Sequence, residues 1–211
     1  MSRYLGSVCK LCRREREKLF LKGEKCTLKC TLDTKRGKNL PGMHVQSGGM
    51  KNKTTEYGRH LREKQKARRV YGLSEEQFRH YFDRAHKMKK GLTGENLLKL
   101  LELRLDNVVY RLGLVPSRKM ARQLVNHGNV LVNDRKIDLP GYQLKLGDKV
   151  AAKASFKENV FVKRALENPT RCPSWLELDK DNAAGTVKTL PAPQEFSHPI
   201  NSQLIVELYS K

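Results

Sequence analysis

The sequence predicts an α+β fold: a mostly helical front, then a helix docked directly on a small β unit. Two patterns carry this reading. From Tyr57 to Gly128, apolar residues recur at helical spacing between capping signals. Immediately after Gly128 the period drops to two. A third observation bears on partners: of the 211 residues, 43 are Lys or Arg and 22 are Asp or Glu, a net charge of +21. An excess of that size resists compaction by self-repulsion and signals a polyanionic partner, nucleic acid first and an anionic membrane surface second.

The first element is a basic extension, residues 1–45, that carries Cys9-x2-Cys12 and Cys26-x3-Cys30. Two close thiol pairs separated by a short loop can converge on one tetrahedral metal, and zinc is favoured over free thiols or disulfides. Lys10, Arg13, Arg14, Lys22, Lys25 and Lys29 would offset the negative charge of four thiolates. Such a site is structural, because four protein ligands leave no open position. Cys172, beside Pro173, reads as a semi-buried thiol.

A helical domain is expected over 46–102. Residues 31–56 are rich in Gly, Lys, Asn and Thr and read as an irregular loop ordered by a partner. From Tyr57 to Val70 the pattern is helical and intensely basic: Arg59, His60, Arg62, Lys64, Lys66, Arg68 and Arg69 occupy most of the circumference. Charge this dense and uncompensated is expected against phosphate. Ser74-Glu-Glu-Gln77 is a capping box opening a helix with a core stripe of Phe78, Tyr81, Phe82 and Ala85. Thr93-Gly94 begins a leucine-rich helix, and Leu105–Leu112 another, packing Val108 and Val109 while exposing Arg104 and Arg111.

A third segment, 103–169, holds the switch of period. Ser117 caps a helix that turns Met120, Ala121, Leu124 and Val125 inward and Arg118, Lys119 and Arg122 outward, stopped by Gly128. Strands are expected at Val130–Val132, Tyr142–Leu144 and Lys149–Lys153, with a turn at Asn133-Asp-Arg-Lys136. Ser155-Phe-Lys-Glu158 is a second capping box, with a helix to Asn168. In the last segment, 170–211, short strands are expected at Trp175–Leu178, Val187–Leu190 and Leu204–Tyr209.

Charge divides the same way. Residues 1–70 carry a net +14, residues 71–169 a net +8, and residues 170–211 a net −1. The near-neutral tail is expected to face protein, its own chain or another. No segment approaches the ~20 apolar residues of a membrane span, and the start lacks a signal-peptide core, so a cytosolic protein is expected. Enzymatic motifs are missing: there is no phosphate-cradling Gly-Lys-Ser/Thr loop, no dinucleotide fingerprint and no metal-type spacing among the six histidines. Asp106 reads as a buried hydrogen-bonding position, not a general base.

The runs Arg104-Leu-Asp-Asn-Val-Val-Tyr-Arg-Leu-Gly113, Ser117-Arg-Lys-Met-Ala-Arg-Gln-Leu-Val-Asn-His-Gly128 and Val132-Asn133 resemble the RNA-binding module named after ribosomal protein S-four. The resemblance extends to Arg3-Tyr-Leu-Gly6, Leu61-Arg-Glu-Lys-Gln-Lys66, Arg69-Val-Tyr-Gly72 and Leu204-Ile-Val-Glu-Leu-Tyr-Ser210. It therefore covers essentially the whole chain and is to the bacterial-type small-subunit S-four family. That resemblance implies an S-four-type module inserted in a helical first domain, with 170–211 a return segment completing the structure. It implies a structural constituent of the small ribosomal subunit and a primary binder of ribosomal RNA that nucleates assembly by clamping a junction. Contact with ribosomal protein S-five, linked to accuracy, and a place near messenger RNA entry are also implied. No homo-oligomer is expected. Some relatives lack the cysteines, so the fold in general does not require zinc.

Carried onto this chain, the RNA-binding residues implied are Arg104, Arg111, Ser117, Arg118, Lys119, Arg122, Gln123, His127, Asn133, Arg135 and Lys136. Arg59, Arg62, Lys64, Lys66, Arg68 and Arg69 of the basic helix join them, with Arg3, Lys10, Arg13 and Arg14. Their contacts would be mostly to phosphate and sugar, because the A-form major groove is too narrow to read. A stand-alone RNA-binding regulator, or an RNA-modifying enzyme accessory using the same module, is the alternative. An enzyme would need a catalytic domain, and residues 170–211 are too few for one.

Overall fold

The computed structural model describes residues 4–34, 37, 39–42, 55–157, 159, 162 and 172–210. The Arg3 start, the Met43–Thr54 stretch and most of the segment after Lys157, including Glu158 and the helix expected to reach Asn168, lie outside them. By internal contacts the chain forms two compact units, Met1–Arg84 with His198–Lys211, and Ala85–Ser197.

The first unit contains α1 (Val8–Glu15), α2 (Lys25–Leu28), a one-turn 3₁₀ helix at Thr31–Asp33, α3 (Glu56–Tyr71), and most of α4 (Glu75–His86). Thr55 caps α3 by accepting a hydrogen bond from the Gly58 amide at 3.1 Å. Gly72 ends it at φ 65°, a left-handed conformation that favours glycine. The capping box before α4 is reciprocal: the Gln77 amide donates to Ser74 Oγ and the Ser74 amide to Gln77 Oε1. The stripe of Phe78, Tyr81 and Phe82 is buried, as its spacing predicts.

The chain end departs from expectation. Residues 202–209 form a helix, α9 (Ser202–Tyr209), where a short strand is expected from the sequence at Leu204–Tyr209. Packing decides it, because propensity is a weak force against burial. Helical spacing buries Ile205 and brings Tyr209 over the rings of Phe78 and Phe82, at centroid distances of 6.5 and 4.5 Å. Asn201 then caps the first turn by accepting from the Gln203 amide.

The second unit holds α5 (Thr93–Glu102), α6 (Leu105–Arg111), α7 (Arg118–Asn126), a short α8 (Ala154–Lys157) and one antiparallel sheet. The strands are β1 (Val130–Val132), β2 (Arg135–Lys136), β3 (Lys149–Ala152), β4 (Leu176–Asp179) and β5 (Ala184–Val187), in the order β2-β1-β3-β5-β4. Residues 142–144 make only an isolated bridge, Gln143 to Arg104, instead of the expected strand. One core joins α6, α7 and the sheet, around Val108, Val109, Leu124, Val130, Val150 and Trp175. Trp175 is completely buried there. At Gly185 an added Cβ would sit 2.2 Å from a Leu112 methyl, so only glycine lets β5 approach α6 this closely. Among the described residues no helix is long and apolar enough to cross a membrane.

Candidate nucleic-acid interface

In the second unit the site starts from the helix cap. Ser117 is extended, and its Oγ accepts from the Met120 amide at 3.3 Å, which fixes where α7 begins. Ala121, Leu124 and Val125 face the core, while Lys119, Gln123 and His127 are exposed on the opposite side. Arg118 and Arg122 break the expectation, being only 9% and 8% exposed. Positions 118, 122 and 125 lie one helical turn apart on a single face, and that face turns toward α6. Arg118 Nε donates to Asn107 Oδ1 at 2.8 Å, and its guanidinium lies 4.4 Å from the Tyr110 ring centre.

Beneath them lies Glu102, a fully buried acid that the sequence reading did not single out. Asn107 Nδ2 donates to its Oε2 at 2.6 Å, the Ser197 amide donates to its Oε1 at 2.8 Å, and Arg111 Nε stands 3.8 Å from Oε2. Ser197 Oγ is a further donor. Burial pushes this carboxyl up, but the charges of Arg118 and Arg111 and the Ser197 hydrogen bonds outweigh it and hold its pKa below the ordinary 4.5. The one available signal was an acid at a core position of a leucine helix. Arg104, expected outside, is also buried, and grips Asp106 with two hydrogen bonds of 3.0 and 2.7 Å. Asp106 is a buried partner, as read from the sequence.

The hairpin after β1 places the remaining cations. Asn133 and Asp134 both take positive φ, 49° and 63°, which makes a tight turn. Asn133 is pinned there, donating to Asp148 Oδ1 and accepting from the Lys149 amide, each at 2.9 Å. Arg135 and Lys136 are exposed. Gly128, at φ 67°, lies directly under the Lys136 chain: an added Cβ would come 2.0 Å from Lys136 Cε. The glycine that stops α7 thus lets Lys136 cross beside His127 at the helix end. Lys119, Gln123, His127, Arg135 and Lys136 are expected contacts of this module that the structure leaves at the surface, and Asn133 is exposed as well but tied to Asp148 and Lys149.

The basic helix α3 behaves differently. Arg62 and Arg69 pair with Glu15, Lys64 and Arg68 with Glu75, and Lys66 with Glu17 at 2.7 Å. Lys66 also donates to the Pro199 carbonyl, and His60 Nε2 lies 3.2 Å from Glu207. The expectation of uncompensated charge on this helix therefore fails. Its partners include Glu15, 54 positions from Arg69, and Pro199, 133 positions from Lys66, beyond the reach of local pattern. Burial raises the Glu15 carboxyl even against Arg69 and Arg62. At Glu75 burial acts in the same direction, but hydrogen bonds from Lys64 and Tyr209 outweigh it and the pKa falls below 4.5. Lys10, Arg14 and Arg59 are exposed and Arg13 is half-buried, while Arg3 lies outside the described residues.

The four N-terminal cysteines share one neighbourhood. Cys12 and Cys26 are buried, Cys9 and Cys30 half-buried, and all are free thiols. Burial pushes the Cys12 thiol up, the Leu19 amide lowers it, and negative charge on Cys26, Cys9 and Cys30 raises it further. The Lys22 amide donates to Cys26 Sγ at 3.3 Å. Amide donors on two sulfurs suit thiolate ligands. Among the described residues, however, no three His, Cys, Asp or Glu side chains are grouped so as to hold a metal ion.

Comparison with known proteins agrees with this architecture. Residues 3–102 match the family described as Ribosomal protein S4/S9 N-terminal domain, and residues 103–150 match the S4 domain. The chain is 63% identical to small ribosomal subunit protein uS4 of Endomicrobium trichonymphae, over 100% of both chains. It is 53% identical to uS4 of Trichlorobacter lovleyi and 51% to uS4 of Pelotomaculum thermopropionicum, again over 100% of both chains. The chain belongs to the uS4 family of small ribosomal subunit proteins.

Proposed function

We infer that this chain is a non-catalytic structural constituent of the small ribosomal subunit, binding its ribosomal RNA and nucleating assembly there. The observation that carries this is full-length identity to uS4 proteins, joined to a +21 chain whose module leaves a cationic helix face and hairpin at the surface. Direct phosphate and sugar contact is assigned to Lys119, Gln123, His127, Arg135 and Lys136 in the module, and to Arg59, Lys10 and Arg14 in the first unit. Arg13 and Arg3 extend the latter surface. Arg62, Lys64, Lys66, Arg68, Arg69, Arg104, Arg111, Ser117, Arg118, Arg122 and Asn133 support those contacts mainly by holding the two surfaces in shape. The near-neutral segment 170–211 is assigned to protein neighbours, with ribosomal protein S-five the foremost, and the messenger RNA entry lies close by.

Cys9, Cys12, Cys26 and Cys30 are assigned as a structural zinc set. The supporting facts are their common neighbourhood and the amide donors to Cys12 and Cys26. When bound, zinc would supply cross-linking of a segment that has little core of its own, and no reaction. Metal analysis of purified protein should give about one zinc per chain, and well under one would remove this assignment.

The function is tested by sedimenting ribosomal particles from cells expressing the tagged chain, followed by a high-salt wash. Retention on small subunits is expected. Its absence from washed subunits, or substrate turnover by the purified chain, would refute the reading.

A further inference from the structure

Between α4 and α5, within the second unit, runs Lys87-Met-Lys-Lys-Gly-Leu92, a basic stretch outside every surface assigned so far. Lys87, Lys89 and Lys90 are all exposed, and no carboxylate among the described residues pairs with any of them. On α3 the opposite holds, since most of the cations there are bound to acids of the same chain.

The stretch is also fixed in shape. The Met88 amide donates to the Ala85 carbonyl at 3.2 Å, turning the chain as it leaves α4. Asn96, only 4% exposed, donates from Nδ2 to the Lys90 carbonyl at 2.7 Å. Gly91 follows at φ 83°, and a Cβ there would come 2.9 Å from Asn96 Oδ1. A buried asparagine and a left-handed glycine thus fix the backbone at the end of a turn that carries three exposed like charges within four residues. That arrangement raises their mutual repulsion, and a multiply charged anion relieves it. Met88 and Leu92 stand exposed beside the lysines, offering apolar contact to a sugar or base face.

We propose that the Lys87–Leu92 turn is a second, preformed phosphate-binding surface, which takes the backbone of the RNA that the module grips. This rests on the RNA-binding reading above. Phosphate contacts release counterions, so each lost contact lowers the slope of log K against log salt by about 0.7 to 0.9.

The test uses the full chain and transcribed small-subunit ribosomal RNA, with affinity measured across a salt series. Lys87→Gln, Lys89→Gln and Lys90→Gln combined should reduce the slope by roughly 2 and weaken binding at least ~10-fold at low salt. Lys180→Gln with Lys188→Gln, in the near-neutral tail, should change the slope by less than ~0.5. A triple variant with the wild-type slope overturns the proposal, as does an equal loss per charge from the tail pair, which would mean bulk charge alone is felt. If the wild-type chain itself shows no salt-dependent affinity, the RNA-binding reading falls. A wild-type chain that binds normally beside an unchanged triple variant removes only this surface.

Discussion

Helix α3 and helix α7 are both dense in Lys and Arg, yet the folded chain uses them differently. On α3, five cations are matched to Glu15, Glu17 and Glu75, and these pairs lock α1, α3 and α4 together. On α7, Arg118 turns inward over a polar cluster that ends at Glu102 and Arg122 is likewise buried, while Lys119 faces out. A basic run is therefore not one signal. Its meaning depends on where the carboxylates arrive, and they arrive through tertiary structure.

The largest effect expected from this contrast is at Glu102. Glu102→Ala leaves the buried Arg118 and the half-buried Arg111 without their shared anion, and should cost about 3 kcal/mol by urea unfolding followed at Trp175. Acid should expose the same dependence. The folded pKa of Glu102 lies below the unfolded value near 4.5, so its stabilisation is complete above pH 4.5. It is then lost as pH falls through the folded value. Stability of Glu102→Gln should vary less over that range, and an identical acid profile would contradict the ion network.

Arg69→Ala ranks next. It strips a guanidinium from Glu15, whose side chain is 4% exposed, and should cost about 1–3 kcal/mol in thermal or urea unfolding. Loss of RNA affinity with unchanged stability would place Arg69 on the RNA instead. Ser117→Ala should cost about 1 kcal/mol through the lost cap on α7, read as a fall in the urea midpoint at constant m. Smallest should be Lys119→Gln with Lys136→Gln, within about 0.5 kcal/mol of wild type in stability because both side chains are exposed.

Local rules were legible wherever the chain decides structure locally. The Ser74–Gln77 box, the Ser117 cap, the Gly128 stop and strands β1 and β3 follow from residues within a few positions of one another. Residues 204–209 were misread because composition favoured a strand, whereas Phe78 and Phe82 supply a surface that only a helix fits. The same limit governs the site. Of the three cations that helical spacing puts outside, only Lys119 is exposed; Gln123 and His127, also exposed, are implied by the family resemblance. The burial of Arg104 and Arg118 could not be read from spacing, since Arg104 is held by Asp106 and bridged to Gln143, and Arg118 by Asn107 on α6; Arg122 is buried on the same helix as Arg118.

The most direct measurement is the salt dependence of affinity for small-subunit ribosomal RNA in two double variants of equal charge change. Lys119→Gln with Lys136→Gln is expected to lower the log–log slope by about 1.5 while leaving the unfolding curve in place. Arg62→Gln with Arg69→Gln is expected to shift the unfolding curve and leave the slope near wild type. A slope that drops for the α3 pair and holds for the module pair would contradict this division of labour.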